Sequence, residues 1–403
     1  MRSFGSGRRG QRGAAILLAV ITLLIAVAYA AVSPGLSTAV RLSRERNTSD
    51  ALAQAKAALL AWSMAHADAA GAAAHARPGE LPCPDMNGDG LAEATCTAGQ
   101  PGLLPWRTLA IERPLDSAGE ELWYAVASGF LPFALNPGPI NSDSAGQLDL
   151  YDAAGTLLTP AGRRLAAVLI APGEALASQS GRPSITASAY LDTAYGRNNA
   201  TTGGPFVTGP VREAGAAVPS LNDVVVGLSA NELVAAAERR ALREAQLALV
   251  AYAAANGARL PNAAAPSEAL CMATIAQVST TVACPAEPGR CTGRLPEDAL
   301  SPHAATWFNE NGWGRSWTYQ VQQSLAITAG GAGCHATLTV DGVARQALII
   351  APGSPAAGQT RPASGLAAYL DDAANQDAWA GTGLPAAWTS PAATSNDQIR
   401  SYP

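Results

Sequence analysis

Polar residues crowd the first positions of the chain and then stop: behind Arg2, Arg8, Arg9 and Arg12 comes an unbroken apolar run from Ala14 to Val32. That run of about 19 residues is close to the length a helix needs to cross a bilayer core. The arginines ahead of it are expected to stay cytoplasmic, with the rest of the chain on the far side. Ser33-Pro34-Gly35 then interrupts the helical pattern, which resumes from Leu36 to Met64. Here Leu52, Ala55, Leu59, Leu60 and Trp62 form an apolar side, and Arg41, Arg44, Glu45 and Arg46 occupy the wetter first half. One long rod with a soft point at Pro34 is expected. A second helix opens on the capping box Ser229-Ala230-Asn231-Glu232, with Leu233, Ala237, Leu242, Ala245, Leu249 and Tyr252 at helical spacing. Glu238, Arg239, Arg240, Arg243 and Glu244 exclude a membrane span there.

Between and after the helices the pattern changes to short apolar strands, and the same landmarks occur twice in one order, roughly 175 to 195 residues apart. Leu81-Pro82 is answered by Leu260-Pro261, and Leu122-Trp123-Tyr124-Ala125-Val126 by Trp317-Thr318-Tyr319-Gln320-Val321. Val168-Leu169-Ile170-Ala171-Pro172-Gly173 is answered by Leu348-Ile349-Ile350-Ala351-Pro352-Gly353. After each follow a Gln (Gln179, Gln359), an Arg-Pro (Arg182-Pro183, Arg361-Pro362) and an Ala-Tyr-Leu-Asp (Ala189 to Asp192, Ala368 to Asp371). Ser220-Leu221-Asn222-Asp223 and Ser395-Asn396-Asp397 close the two copies. Hairpins are expected at Leu148 to Gly155 and at Thr337 to Gly342. The chain therefore reads as α+β: two tandem modules, each a helix packed on a small antiparallel sheet. The repeated Gln, Arg and Asp are expected to hold each loop over its own strand, with Arg and Asp as a structural pair.

Composition narrows the function. A 403-residue chain that is 48% hydrophobic and 14% charged has material for two cores. The net charge of −5, with Lys56 as the only lysine, gives no basic stripe and excludes nucleic acid as a partner. Six cysteines follow the apolar run, and an exported chain is expected to pair them. The four histidines are scattered and no Cys-x-x-Cys occurs, which argues against structural zinc. Neither a nucleophile elbow, a Walker loop, a zinc-protease motif nor a dinucleotide fingerprint is present, so no enzyme is expected.

One loop carries possible metal chemistry. Asp85, Asn87 and Asp89 put oxygens on alternate residues, Gly90 permits a sharp turn, and the Leu91 carbonyl and Glu93 extend the set in the pattern of a calcium-binding loop. The twelfth position, which such a loop fills with a bidentate glutamate, is Cys96. The competing reading is an Asx-rich turn tied shut by a Cys83–Cys96 disulfide.

The leader admits three readings from its residues. Ala28-Tyr29-Ala30 is a small-x-small site that would release a secreted chain starting at Ala31, and an uncleaved anchor is the second. The third is a resemblance: Arg12-Gly13 followed by Ala14-Ala15-Ile16-Leu17-Leu18 resembles the leader of type IV prepilins and type II secretion pseudopilins. Leu81-Pro82-Cys83-Pro84-Asp85, Leu104-Pro105-Trp106-Arg107-Thr108-Leu109 and the Trp-Tyr strand are similar to large pilin-like proteins of that kind. The resemblance implies cleavage between Gly13 and Ala14 by a prepilin peptidase, and packing of the retained helix against other pilins or pseudopilins. It also implies a subunit in the inner membrane with periplasmic heads, later part of a pilus or pseudopilus. Leu18 stands where most members carry glutamate, which implies a minor, tip-forming subunit. The expected division is a leader at 1–13, a membrane and stalk helix at 14–66, a first head at 67–228 and a second module at 229–403. The alternative from another class is an exported surface-binding module, an adhesin or substrate receptor.

Overall fold

The structure, a computed structural model, describes residues 10–159, 164–177, 179–211, 219–266, 271, 284–328, 334–355, 359, 361, 369–372, 375–376, 386–390, 395 and 397–402. The side chains of 10–19, 23–40, 316 and 386 lie outside that description. Two compact units partition the chain, Met1–Ala51 and Leu52–Pro403.

Helix α1 spans Gly10–Ala65 and passes through Pro34 without a break. A proline removes one backbone donor, and the helical turns on both sides carry the rod past it. The expectation of a membrane stalk under the heads is corrected, and with it the fold class and the inner-membrane location. Among the described residues no helix is long and apolar enough to cross a membrane, and the fold is a mixed α/β assembly of several small sheets. The described turn of α1 from Arg41 to Asn47 is exposed and carries Arg41, Arg44, Glu45 and Arg46, charges that hydrocarbon opposes. The side chains of Gly13, Ala14 and Leu18 fall outside the described residues.

Helix α2 (Ala230–Ala255) begins as its capping box requires: Ser229 Oγ accepts from the Glu232 amide at 3.1 Å. Its buried face carries Leu233, Ala237, Ala241, Leu242, Ala245, Ala248 and Leu249 at helical spacing. These small side chains let the helix lie close against Trp317, Tyr319, Val321 and Ile349. Asn256 follows the last turn and bonds back to the Tyr252 carbonyl at 2.8 Å.

The first module holds a sheet of β1 (Gly102–Leu103), β2 (Trp123–Val126), β4 (Leu165–Ala171) and β8 (Val224–Ser229), in that order and antiparallel throughout. Beside it β3 (Leu150–Tyr151) pairs in parallel with β7 (Phe206–Val207), and β5 (Thr193–Ala194) pairs with β6 (Arg197–Asn198). The second module repeats the arrangement with β9 (Thr292–Arg294), β10 (Thr318–Val321), β13 (Ala347–Ala351) and β15 (Gln398–Tyr402). There β11 (Leu338–Val340) turns through Asp341-Gly342 into β12 (Val343–Arg345) and pairs in parallel with β14 (Ala386–Trp388). Parallel pairings therefore supplement the antiparallel sheets that were expected.

The repeat extends to single bonds. Tyr124 faces Leu169 and donates to the Pro82 carbonyl at 3.1 Å, while Tyr319 faces Ile349 and donates to the Pro261 carbonyl at 3.1 Å. The Leu81 and Leu260 amides donate to Phe130 and Leu325, each at 2.8 Å. Three disulfides staple the body, Cys83–Cys96, Cys271–Cys284 and Cys291–Cys334. They point to an oxidising, extracellular compartment.

Candidate functional site

The loop closed by Cys83 and Cys96 is folded around one buried acid. Asp85 Oδ1 accepts from the amides of Asn87 at 3.1 Å and Gly88 at 2.7 Å, and its Oδ2 accepts from the Gly90 amide at 2.6 Å. Asn87 Oδ1 accepts from Asp89 at 2.9 Å, Asp89 Oδ1 from Leu91 at 2.8 Å, and Glu93 Oε1 from Met86 at 3.3 Å. Gly90 has φ +83, and a Cβ there would meet the Trp106 ring at 2.7 Å, so only glycine fits. The oxygens expected to ligate calcium thus cap the loop's own amides. The acid set is incomplete for calcium: Cys96 holds the twelfth place inside its disulfide. Among the described residues no three His, Cys, Asp or Glu side chains gather to hold a metal.

The repeated loops form two matching locks. Arg182 lies over the Tyr190 ring at 4.4 Å and donates to the carbonyls of Ala189 at 3.0 Å, Gly173 at 3.0 Å and Tyr190 at 3.2 Å. It also donates to Glu120 at 3.1 Å and to Gln179 Oε1 at 2.6 Å. Gln179 Nε2 in turn donates to Asp192 Oδ1 at 2.6 Å. In the second module Arg361 lies over Tyr369 at 4.8 Å and donates to Gly353 at 2.6 Å and Gln359 Oε1 at 2.8 Å, while Gln359 donates to Asp371 at 2.7 Å. Glutamine stands between arginine and aspartate in both copies, so the direct Arg–Asp pair read from the sequence is replaced by a relay. Pro362, Ala368 and Asn396 lie outside the described residues.

Each lock rests on a buried aspartate. Asp223 Oδ2 accepts from the Asp192 amide and from Asn199, both at 2.8 Å. Asp397 Oδ2 accepts from the amides of Asp371 at 3.0 Å and Asp372 at 3.2 Å. Burial, with the Asp192 charge beside it, holds the Asp223 carboxyl well above the usual range. Burial raises Asp397 to about 6.

Where the modules meet, polar side chains are buried. Glu238 of α2 takes the Ser142 hydroxyl at 2.5 Å, the Gly353 amide at 3.3 Å and Gln398 Nε2 at 2.9 Å. Burial pushes Glu238 up to about 7, against the lowering effect of Ser142, the Gly353 amide and Arg361. Arg361 lies 3.5 Å from Asp143, whose carboxyl burial also raises. Nearby Arg77 Nε is 3.1 Å from Glu80, and its other nitrogens reach Asn311 Oδ1 at 3.3 Å and the Asn136 carbonyl at 2.6 Å. Burial lowers Arg77 against the pull of Glu80 and Glu310. His66 bonds Glu80 at 2.9 Å and His75 bonds Glu310 at 2.8 Å. Sequence reasoning missed this junction. One signal was present, because Val234, Glu238 and Ala241 share a helical face on which both apolar neighbours are buried.

No protein-family model, characterised protein or solved structure matches this chain.

Proposed function

We propose that the chain is a structural subunit of the pilin or pseudopilin type, a minor component of a type IV pilus or type II secretion filament. The observation that carries this reading is a long N-terminal helix ahead of a duplicated body: α1 runs Gly10–Ala65, and its described side chains Val20, Ile21 and Leu42 are exposed. Such a rod offers a surface to the same helix of other subunits. The Arg12-Gly13 leader supports it, as do the three disulfides, which suit work outside the cytoplasm. A body of two modules crowds neighbours inside a shaft, which favours a place at the filament end, and Leu18 agrees with that. The work is mechanical, with other subunits and a prepilin peptidase as partners.

Mass spectrometry of the mature N-terminus tests the reading. A start at Ala14 that disappears in a peptidase-deficient strain is expected. A start at Ala31 would strip the apolar first part of α1 from the chain and end the subunit role.

A further inference from the structure

A cleft of about 530 Å³ opens on the first module beside its lock. We propose that it binds an uncharged, hydroxyl-rich ligand, a short saccharide segment. This goes beyond the filament reading and does not depend on it.

Its size lies within the ~300–1,000 Å³ of small-molecule sites. Gln179 and Asp192 form a braced wall: Gln179 is fixed by Arg182, and Asp192 accepts from Gln179 at 2.6 Å and from the Asn222 amide at 2.9 Å. Leu176, Leu191 and Pro219 add apolar lining for the C–H faces of a sugar ring. Around them stand Ser188, Thr193 and Asn198, all exposed. Among the described residues neither hydroxyl has a side-chain partner, and Asn198 uses only its Oδ1, which accepts from the Ala200 amide at 2.8 Å. Hydroxyls and an amide both donate and accept, which is what a neutral polyol requires.

Charge argues the same way. Among the described residues no Lys, Arg or His lines the cleft, so a sulfated or phosphorylated ligand meets no counter-ion among them, and the one described carboxylate is already bonded. A peptide read through its main chain is disfavoured because the surrounding backbone is committed. The Asp192 amide bonds Asp223 at 2.8 Å, the Asp192 carbonyl takes Asn199 at 2.9 Å, and the Leu191 amide bonds Ala187 at 2.8 Å. Strand addition needs an open rail of such groups.

The test is calorimetry and saturation-transfer NMR on the full chain with maltotetraose, cellotetraose and chitotetraose, each to about 5 mM, the weak end of specific binding. At least one is expected to bind, and Thr193→Val with Asn198→Ala is expected to weaken it by about fivefold or more, with only the small fall in melting temperature that follows from freeing the Ala200 amide. If the double variant fails to fold, the single changes Ser188→Ala and Thr193→Val, both at exposed positions, carry the same comparison. Silence from all three oligosaccharides, or binding that none of these changes alters, overturns the proposal. Equal binding of a neutral Gly-Ser-Thr hexapeptide, sensitive to the same changes, would overturn it in favour of a peptide.

Discussion

Arg182 joins a strand end, a turn and an acid with five hydrogen bonds from one guanidinium. Its replacement by alanine takes this donor from the Gly173 and Ala189 carbonyls and from Glu120, while Gln179 and Tyr190 keep one donor each, so Arg182→Ala is expected to cost about 2–4 kcal/mol in urea unfolding. Lysine is expected to rescue little, because an ammonium cannot fork. Asp85 is the matching case in the disulfide loop. With three amides dependent on it, Asp85→Ala is expected to lower stability by about 2–3 kcal/mol with or without added calcium. A calcium-dependent rise in melting temperature in the parent, absent in Asp85→Ala, would instead show that the loop takes the ion. At this scale the sequence displayed the repeated Gln, Arg, Tyr and Asp but not their bonding. Order along a chain does not reveal that Glu120, 62 residues from Arg182, supplies its carboxylate. Nor does it say that glutamine relays between arginine and aspartate.

Helix α2 was the most legible element, because its cap and its apolar stripe are both local signals. Ser229→Ala is expected to cost about 1 kcal/mol by stranding the Glu232 amide. Glu238 gives this helix a pH dependence. The folded chain holds its proton up to about pH 7, while the unfolded chain releases it near 4.5. Stability from this group is therefore fully present below about 4.5 and is lost as pH rises through 7, on the order of 3 kcal/mol in all. Asp397 acts in the same direction, to about 6. Glu238→Gln keeps a hydrogen-bonding side chain without the charge, and its urea midpoint is expected to change less between about pH 5 and pH 8 than the parent's. The central strands β2, β4, β10 and β13 were legible from apolar runs and turn residues, whereas the outer strands and the parallel pairs β3–β7 and β11–β14 were not, since they join segments far apart in sequence. Pro34 was read as a soft point within one rod, and the helix runs through it from Gly10 to Ala65.

At the level of the whole molecule the duplication was visible in the sequence, because each landmark sits at a turn or strand that both copies need. The joining of the copies was not. It depends on Ser142, Glu238 and Asn311, none of which belongs to a motif, and on Arg361, whose place in the repeated Arg-Pro does not reveal its approach to Asp143. Since both sheets lie in the one unit Leu52–Pro403, calorimetry is expected to show a single transition for them. Reducing Cys83–Cys96, which closes a 13-residue separation, is expected to lower that transition by about 2–4 kcal/mol.

Ser229 is the last residue of β8 and the cap of α2, so no spacer lies between the two copies. A protease has no loop to cut at that point. Any split gene dividing the chain there strips either an outer strand of its final residue or a helix of its first bond. The copies are consequently joined without slack, and both lie in the one unit Leu52–Pro403.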